Sequence, residues 1–529
     1  MQISKLDVWT PLRALSIEAV GAACMALFLA AVWLRFHSWE AYMYAASAEG
    51  FFRMSEMFSA VHGQETIPEI SRYHPYHPFF HMLVEGLQRA ASWLADQPVS
   101  ALTTAVVVNK LSAFAAAVLA FRILHGLLQD RLSAVFAVGA LFCTKAFLFG
   151  AFSGDAHILS LALFLGAFEL VLRPDHAPQG EGRRAALAAL LFSLGAAMNL
   201  AIFFYGIAPL AVLLQARRFH AAVVAVALSG VMLSFVYVAL PVALFDLADM
   251  DAYQGLFGLY SYMPQADDTL AVLLRRFVDA LSVGLVGGID GASAAARIVL
   301  GFLLLCGAVC LWRAPASAAP RFWVFLWIVG FAVGELAMHT VTSVNGTVYV
   351  MLPLFALVGA LLRALARQRV WRGIVVAVLL GVAGLNVAKV VMSKALAGEP
   401  AEPLLAAMDN APTASTPVAV LLTHMSLFHE IYHLGHDRHF TNMTAFIPHI
   451  PQSQAQLQAW MKQQRSFCLL SAAPLPQAGL RSLVRSSREV SPDLYHFSVN
   501  HPESKGMIAK RAYFSCRIPS ENGSADRVP

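Results

Sequence analysis

At 529 residues, 58% hydrophobic and only 13% charged, with a mean hydropathy of +0.63, the chain excludes both a soluble globule and a disordered protein. Its net charge of +5 asks for no nucleic-acid partner. Arginines in short loops facing anionic membrane lipid account for it.

A membrane span takes about 20 apolar residues to cross ~30 Å of hydrocarbon. Stretches near 14–35, 101–121, 132–150, 156–172, 185–199, 201–216, 219–245, 297–312, 322–338, 347–362 and 373–391 meet that requirement. The expected fold class is therefore a polytopic α-helical membrane protein of about 11 spans. The first stretch is too long for the apolar core of a cleaved signal and has no small-x-small cleavage site, so it reads as an anchor.

Orientation follows from the arginines, which short cytoplasmic loops retain. Lys5 and Arg13 precede the first span. Arg122 with Arg131, Arg173 with Arg183 and Arg184, Arg217 with Arg218, Arg313 with Arg321, and Arg363 to Arg372 mark later inward turns. With the N-terminus inside, all fall on one face. The run 185–216 lies between two arginine pairs and satisfies the rule only as a hairpin of two short spans turning near Asn199 and Tyr205. The odd span count then puts the tail, 393–529, outside.

The expected division is a transmembrane domain, 1–392, and an extracytoplasmic domain, 393–529. The first outer loop, 36–100, carries WEAYMYAASAEGFF and RYHPYHPFFHML. The short loop SGDAH joins the third and fourth spans. In the loop 246–296, Leu270, Leu273, Leu274, Phe277, Val278 and Leu281 recur at helical spacing and predict an interfacial helix near 268–286. The tail alternates strand-like runs (418–422, 467–470, 495–499) with helix-like ones (452–464, 477–485), the pattern of a small α/β domain. Cys24, Cys143, Cys306 and Cys310 fall in spans, whereas Cys468 and Cys516 lie in the tail, where an oxidising compartment would allow a disulfide.

Several polar groups suit chemistry at the outer face. Glu40 emerges just after the first span and Asp155 at the outer end of the third, with His157 beside it. A carboxylate at a membrane exit can take a proton from an acceptor hydroxyl or amine; the plainer reading is a helix-end acid facing water. Lys110 and Lys145 lie within the outer halves of spans, where a charge is expensive. They either snorkel to the surface or serve an anion. Arg275 and Arg276 sit outside against the positive-inside pattern, at the level where a lipid phosphate would arrive.

These residues resemble a family. HPYHPFF after the long first loop is similar to the His/Lys-Pro-Pro-Leu element of the polytopic GT-C glycosyltransferases, including protein O-mannosyltransferases and the lipid A aminoarabinose transferase. TVYVMLPLFALVGALL, with Tyr349 and Pro353, resembles their late Arg-Tyr-x-x-x-x-Pro span. Glu40 stands where that family has Asp, Tyr76-His77 interrupts the Pro-Pro pair, and no Arg precedes Tyr349. The resemblance implies inverting sugar transfer from a polyprenyl-phosphate donor to a lipid, glycan or protein acceptor outside the bacterial inner membrane. It implies Glu40 as base, with Asp155 the second choice, and Lys110, Lys145, Arg275 and Arg276 around the phosphate. His74, His77, His157 and Tyr349 would line the pocket. Some relatives hold a divalent ion through an acid-x-acid element that Asp155-Ala-His157 matches in part, so a divalent cation stays open and no metal ligand is assigned.

Two other classes compete. A transporter or flippase would explain the many spans and the intramembrane Lys110 and Glu335, but not the large outer loop and tail. His429-Glu430-Ile431-Tyr432-His433 matches the H-E-x-x-H zinc protease motif, with His439 at third-ligand spacing. The segment is generally histidine-rich, and Gly435 comes one residue early for that fold's turn.

Overall fold

In the computed structural model the chain is described over residues 77–96, 99, 101–152, 156–173, 180–245, 270–287, 290–313, 318–337, 346–388, 417–421, 443–446, 451–464, 467–471, 494–500 and 511–517. The predicted first span, the C-terminal helix-like run 477–485, Glu40, His74, Asp155 and the 429–439 histidine set lie outside the described residues, as do the side chains of Arg276 and Glu335. The described residues fall into two compact units, one of 77–80 with 103–388, the other of 81–102 with 417–517.

The helices follow the predicted spans closely. They are α1 (Pro78–Ala95), α2 (Ala101–Leu128), α3 (Arg131–Phe142), α4 (Lys145–Phe152), α5 (His157–Leu172) and α6 (Glu181–Met198). Then come α7 (Ile202–Tyr205), α8 (Ile207–Gln215) and α9 (Phe219–Ser234), which widens into a π-turn at Phe235–Ala239 before α10 (Leu240–Phe245). The unit closes with α11 (Leu270–Leu285), α12 (Gly291–Arg313), α13 (Ala318–Ala337), α14 (Val348–Ala364) and α15 (Arg369–Asn386). Among the described residues, four helical stretches are long and apolar enough to cross a membrane: Thr104–Leu128, Phe219–Ala243, Gly291–Arg313 and Arg369–Asn386. The pair α3 and α4 makes a fifth if it is one span, bent by 64°.

That bend has a local cause. The Thr144 hydroxyl donates to the Leu141 carbonyl at 2.8 Å and accepts the Phe147 N–H at 3.3 Å, ending one helix and capping the next. Asn199 breaks the 185–216 run similarly: its backbone is extended and its side-chain oxygen accepts the Ala201 N–H at 3.0 Å.

Two lipid-immersed helices gain little by hiding apolar surface from each other, so close packing and hydrogen bonds must hold the bundle. α14 is its hub, packing against α3, α5, α12 and α13. Residues Val348 to Ala356 are all buried, as expected of a helix apolar on every face. Gly307 of α12 lies so close that a Cβ there would run into the Leu357 carbonyl; only glycine allows that approach.

One end of the bundle is stitched by the arginines assigned to the cytoplasm. Glu169 accepts from Arg122 at 2.9 Å and Arg173 at 2.7 Å. Arg372 reaches Asp130 at 2.6 Å. Arg218 donates to the carbonyls of Val171 (3.2 Å) and Arg173 (3.3 Å) and pairs with Glu181 at 3.6 Å. Glu181 opens α6 and Arg218 follows α8, so the run between them doubles back, as the hairpin reading requires.

In the second unit, the tail residues make a five-stranded mixed sheet of order β2-β1-β3-β5-β4 from β1 (Val418–Leu421), β2 (Met443–Phe446), β3 (Phe467–Ser471), β4 (Leu494–Asn500) and β5 (Arg511–Arg517). β1 pairs in parallel with β2 and β3, whereas β5 runs antiparallel to β3 and β4. The helix α16 (Pro451–Gln463) connects β2 to β3 and packs Leu457 and Met461 against Ala419, Phe467 and Leu469. β2 and β5 lie outside the strand-like runs predicted from the sequence.

Candidate active site

Three of the residues singled out in the sequence meet. His77, the last residue before α1, puts its ring 6.0 Å from that of His157 at the start of α5. His157 lies 5.5 Å from the Tyr349 ring in the first turn of α14. Residues as far apart in sequence as His77 and Tyr349 thus form one histidine–histidine–tyrosine row.

Hydrogen bonds set the row's geometry. The Nδ1–H of His77 donates to the Met198 carbonyl at 3.1 Å; a carbonyl can only accept, so this contact selects the tautomer. Ser160 donates its hydroxyl proton to the His157 carbonyl at 2.9 Å and lies 2.5 Å from the Tyr349 hydroxyl. With the serine proton committed, Tyr349 is the donor. The indole N–H of Trp327 fastens the Tyr349 carbonyl at 2.9 Å. Tyr205 covers the tyrosine at 5.3 Å between ring centroids, backed by Phe331. Tyr349 is fully buried, so it acts here as a buttress that positions His157 rather than as an open wall.

The cations separate into different surroundings. Arg275 is 86% exposed and pairs with Asp279 one helical turn away; it is not brought to the histidine–tyrosine row. The Lys110 ammonium sits 5.8 Å from the centre of the Phe152 ring, within cation–π range. Phe152 ends α4 and Lys145 begins it, which separates the two lysines by ~10 Å along the helix. Lys145 is partly buried, next to the C-terminal end of α11 and to Arg297 of α12. Arg297 was missed in the sequence because it sits at the edge of a predicted span. Its signal was legible, since it is an arginine at a helix end that the arginine rule assigns to the outside, as irregular as Arg275. Ser160 and Trp327 carried no signal at all, and Tyr205 was read only as part of the turn in the 185–216 hairpin. Among the described residues no three His, Cys, Asp or Glu side chains gather as a metal site.

An apolar cavity of about 400 Å³ opens between α5, α6, α8 and α9, lined by residues such as Ala188, Phe192, Phe203, Gly206, Leu213 and Leu233. Its walls offer almost nothing to a polar ligand and suit a hydrocarbon chain.

Two crystal structures share this fold over nearly the whole chain. ArnT from Cupriavidus metallidurans bound to undecaprenyl phosphate matches with a TM-score of 0.53 and 14% identity, covering 94% of this chain and 98% of that one. ArnT from the same organism in the apo state matches with a TM-score of 0.54 and 11% identity over the same shares. At such identities the likeness is one of fold. No protein-family model and no curated protein matches the sequence.

Proposed function

We propose that the protein is an inverting glycosyltransferase of the bacterial inner membrane, moving a sugar from a polyprenyl-phosphate-linked donor to an acceptor on the outer face. The observation that carries this reading is the shared fold with a structure bound to undecaprenyl phosphate. The His77–His157–Tyr349 row and the apolar cavity between α5, α6, α8 and α9 add support.

In this reading the acceptor, a hydroxyl or amine of a lipid, glycan or protein, attacks the anomeric carbon. The bond from that carbon to the phosphate oxygen breaks, and the carrier leaves as a phosphate monoester. The leaving group is stable as it departs and needs only fixed positive charge around it. Glu40 takes the acceptor's proton, with Asp155 the second candidate. His157, two residues after Asp155, faces the reacting groups and is held by Ser160 and Tyr349; His74 and His77 complete that wall. A divalent cation remains an open addition, for which Asp155 and His157 would be the first ligands.

The test is direct. Purified protein in lipid nanodiscs is given undecaprenyl-phosphate sugars, and glycolipids, glycans and glycoproteins from a deletion strain are compared with wild type by mass spectrometry. A sugar missing from one acceptor and restored by the wild-type gene but not by Glu40→Gln supports the proposal. An unchanged set of glycoconjugates, with no donor consumed in vitro, would overturn it.

A further inference from the structure

We propose that Tyr237, a residue the sequence did not nominate, is a positioning residue for His77 and acts through the last turn of α6. The inference rests on the transferase reading above, which gives His77 its place in the wall of the site.

α6 ends at Asn199, whose extended backbone takes the chain out of the helix. The carbonyls of a last helical turn find no N–H within their own helix. Two side chains from distant elements take two of them here. The Tyr237 hydroxyl donates to the Ala196 carbonyl at 2.6 Å, and the Nδ1–H of His77 donates to the Met198 carbonyl at 3.1 Å. Ala196, Ala197 and Met198 are all buried, so both acceptors belong to one enclosed turn. A shift of that turn moves the oxygen that selects the His77 tautomer and aims its ring.

The approach of Tyr237 has a specific cause in α9. Only Ala221 and Ala222 of that helix are buried. At Phe235–Ala239 it widens into a π-turn, whose i→i+5 bonds fit an extra residue into the helix. There the chain faces inward again: Val236 is buried and Tyr237 partly so, whereas Phe235, Val238 and Ala239 stay exposed. Removing the extra residue would rotate the two halves of the helix against each other by about 100°. The π-turn thus sets where Tyr237 points relative to the earlier part of α9.

Packing alone does not hold this end of α6 to α9. The two helices meet near their beginnings, around Ala185, Ala188, Ala221 and Ala222. Further along, the apolar cavity comes between them, lined by Phe192 of α6 and Leu233 of α9. Side chains facing a cavity lack partner atoms on that side. Ala196 and Tyr237 follow Phe192 and Leu233 by four residues each, about one helical turn. Their hydrogen bond therefore ties the helices together again just past the cavity, on the turn that holds His77.

With Nδ1 committed as a donor, Nε2 is the His77 nitrogen that gains or loses a proton. The His77 ring lies 6.0 Å from that of His157. Loosening the turn frees the ring and lets its tautomers exchange, which slows transfer while the lipid donor still binds.

The experiment uses the full-length protein in lipid nanodiscs, with isotope-labelled histidine read by nitrogen NMR. The His77 signal is the one lost in His77→Gln. Wild type should show the Nδ1–H tautomer, and Tyr237→Phe, which removes only the hydroxyl, should show both. Transfer from undecaprenyl-phosphate sugars is then measured on the same proteins. Tyr237→Phe should lower kcat roughly tenfold, within what an ångström-scale misplacement costs, and leave KM for the donor little changed. In a His77→Gln background it should cost nothing further, because residues acting through one another are not additive. Val238→Ala, exposed in the same π-turn, should match wild type in both readouts.

An unchanged His77 tautomer in Tyr237→Phe would overturn the proposal, even if the melting temperature falls, since the bond would then be a structural tie only. An equal loss of kcat with and without His77, or wild-type turnover in His77→Gln, would overturn it as well. If wild type transfers no sugar at all, the transferase reading fails, and the tautomer still decides whether Tyr237 holds His77.

Discussion

The hydroxyl of Tyr349 donates to that of Ser160 at 2.5 Å, across 189 residues of sequence. Ser160 in turn donates a hydrogen bond to the His157 carbonyl, so the tyrosine acts on the first turn of α5 and holds His157 in place. Tyr349→Phe removes the donor but keeps the ring. Stability should fall by about 0.5–1.5 kcal/mol, the net worth of one such hydrogen bond. Transfer should fall further, by roughly tenfold, if His157 must be held within a fraction of an ångström. Thermal unfolding and turnover measured on the same preparation separate the two effects; equal wild-type turnover would remove His157 from the site.

Glu40→Gln preserves shape and hydrogen bonding but cannot accept a proton. General-base assistance is typically worth ~10²–10⁴-fold in rate. Sugar transfer should fall by about that much while undecaprenyl phosphate binding persists. Asp155→Asn ranks the two acids: if it abolishes turnover and Glu40→Gln does not, the base is Asp155.

Arg218 ties the end of α8 to Glu181 and to the carbonyls after α5. Residues 173, 181 and 218 therefore belong to one face. Cysteine labelling from outside should reach positions near 90, 265 and 450 and spare those near 178 and 368. Labelling at 178 together with protection at 450 would invert the whole arrangement.

Cys468 of β3 and Cys516 of β5 are direct partners in the antiparallel register. Directly opposed residues lie close enough for cross-strand contact and within the Cα separation of a disulfide. Exported to an oxidising compartment, where thiol–disulfide oxidoreductases accept the two electrons, the tail should run faster on a non-reducing gel than its reduced form. Cys468→Ser should abolish the difference. Two free thiols in protein taken from an oxidising periplasm would argue that the tail faces the cytoplasm.

The His429–Glu430–His433 motif is expected to be surface chemistry without a metal. Purified protein should carry no stoichiometric zinc, and Glu430→Gln should leave sugar transfer unchanged. Tight zinc with proteolysis lost in Glu430→Gln would make peptide hydrolysis the main activity.

The sequence by itself determined that the chain is helical and membrane-embedded, and roughly where each helix lies. Twenty-residue apolar runs and arginine spacing are local signals, and the bilayer turns them directly into helices. It also marked His77, His157 and Tyr349, because polar residues at the ends of spans stand out against an apolar background. Only the tertiary structure decided which of them meet. Helix packing depends on side-chain shape over hundreds of residues, as at Gly307 against the Leu357 carbonyl, and no periodicity encodes it. For the same reason the sequence ranked Arg275 among the candidates to meet a phosphate and passed over Arg297. The two differ in nothing but their surroundings: one points into solvent beside Asp279, the other is held by the Val286 carbonyl next to Lys145.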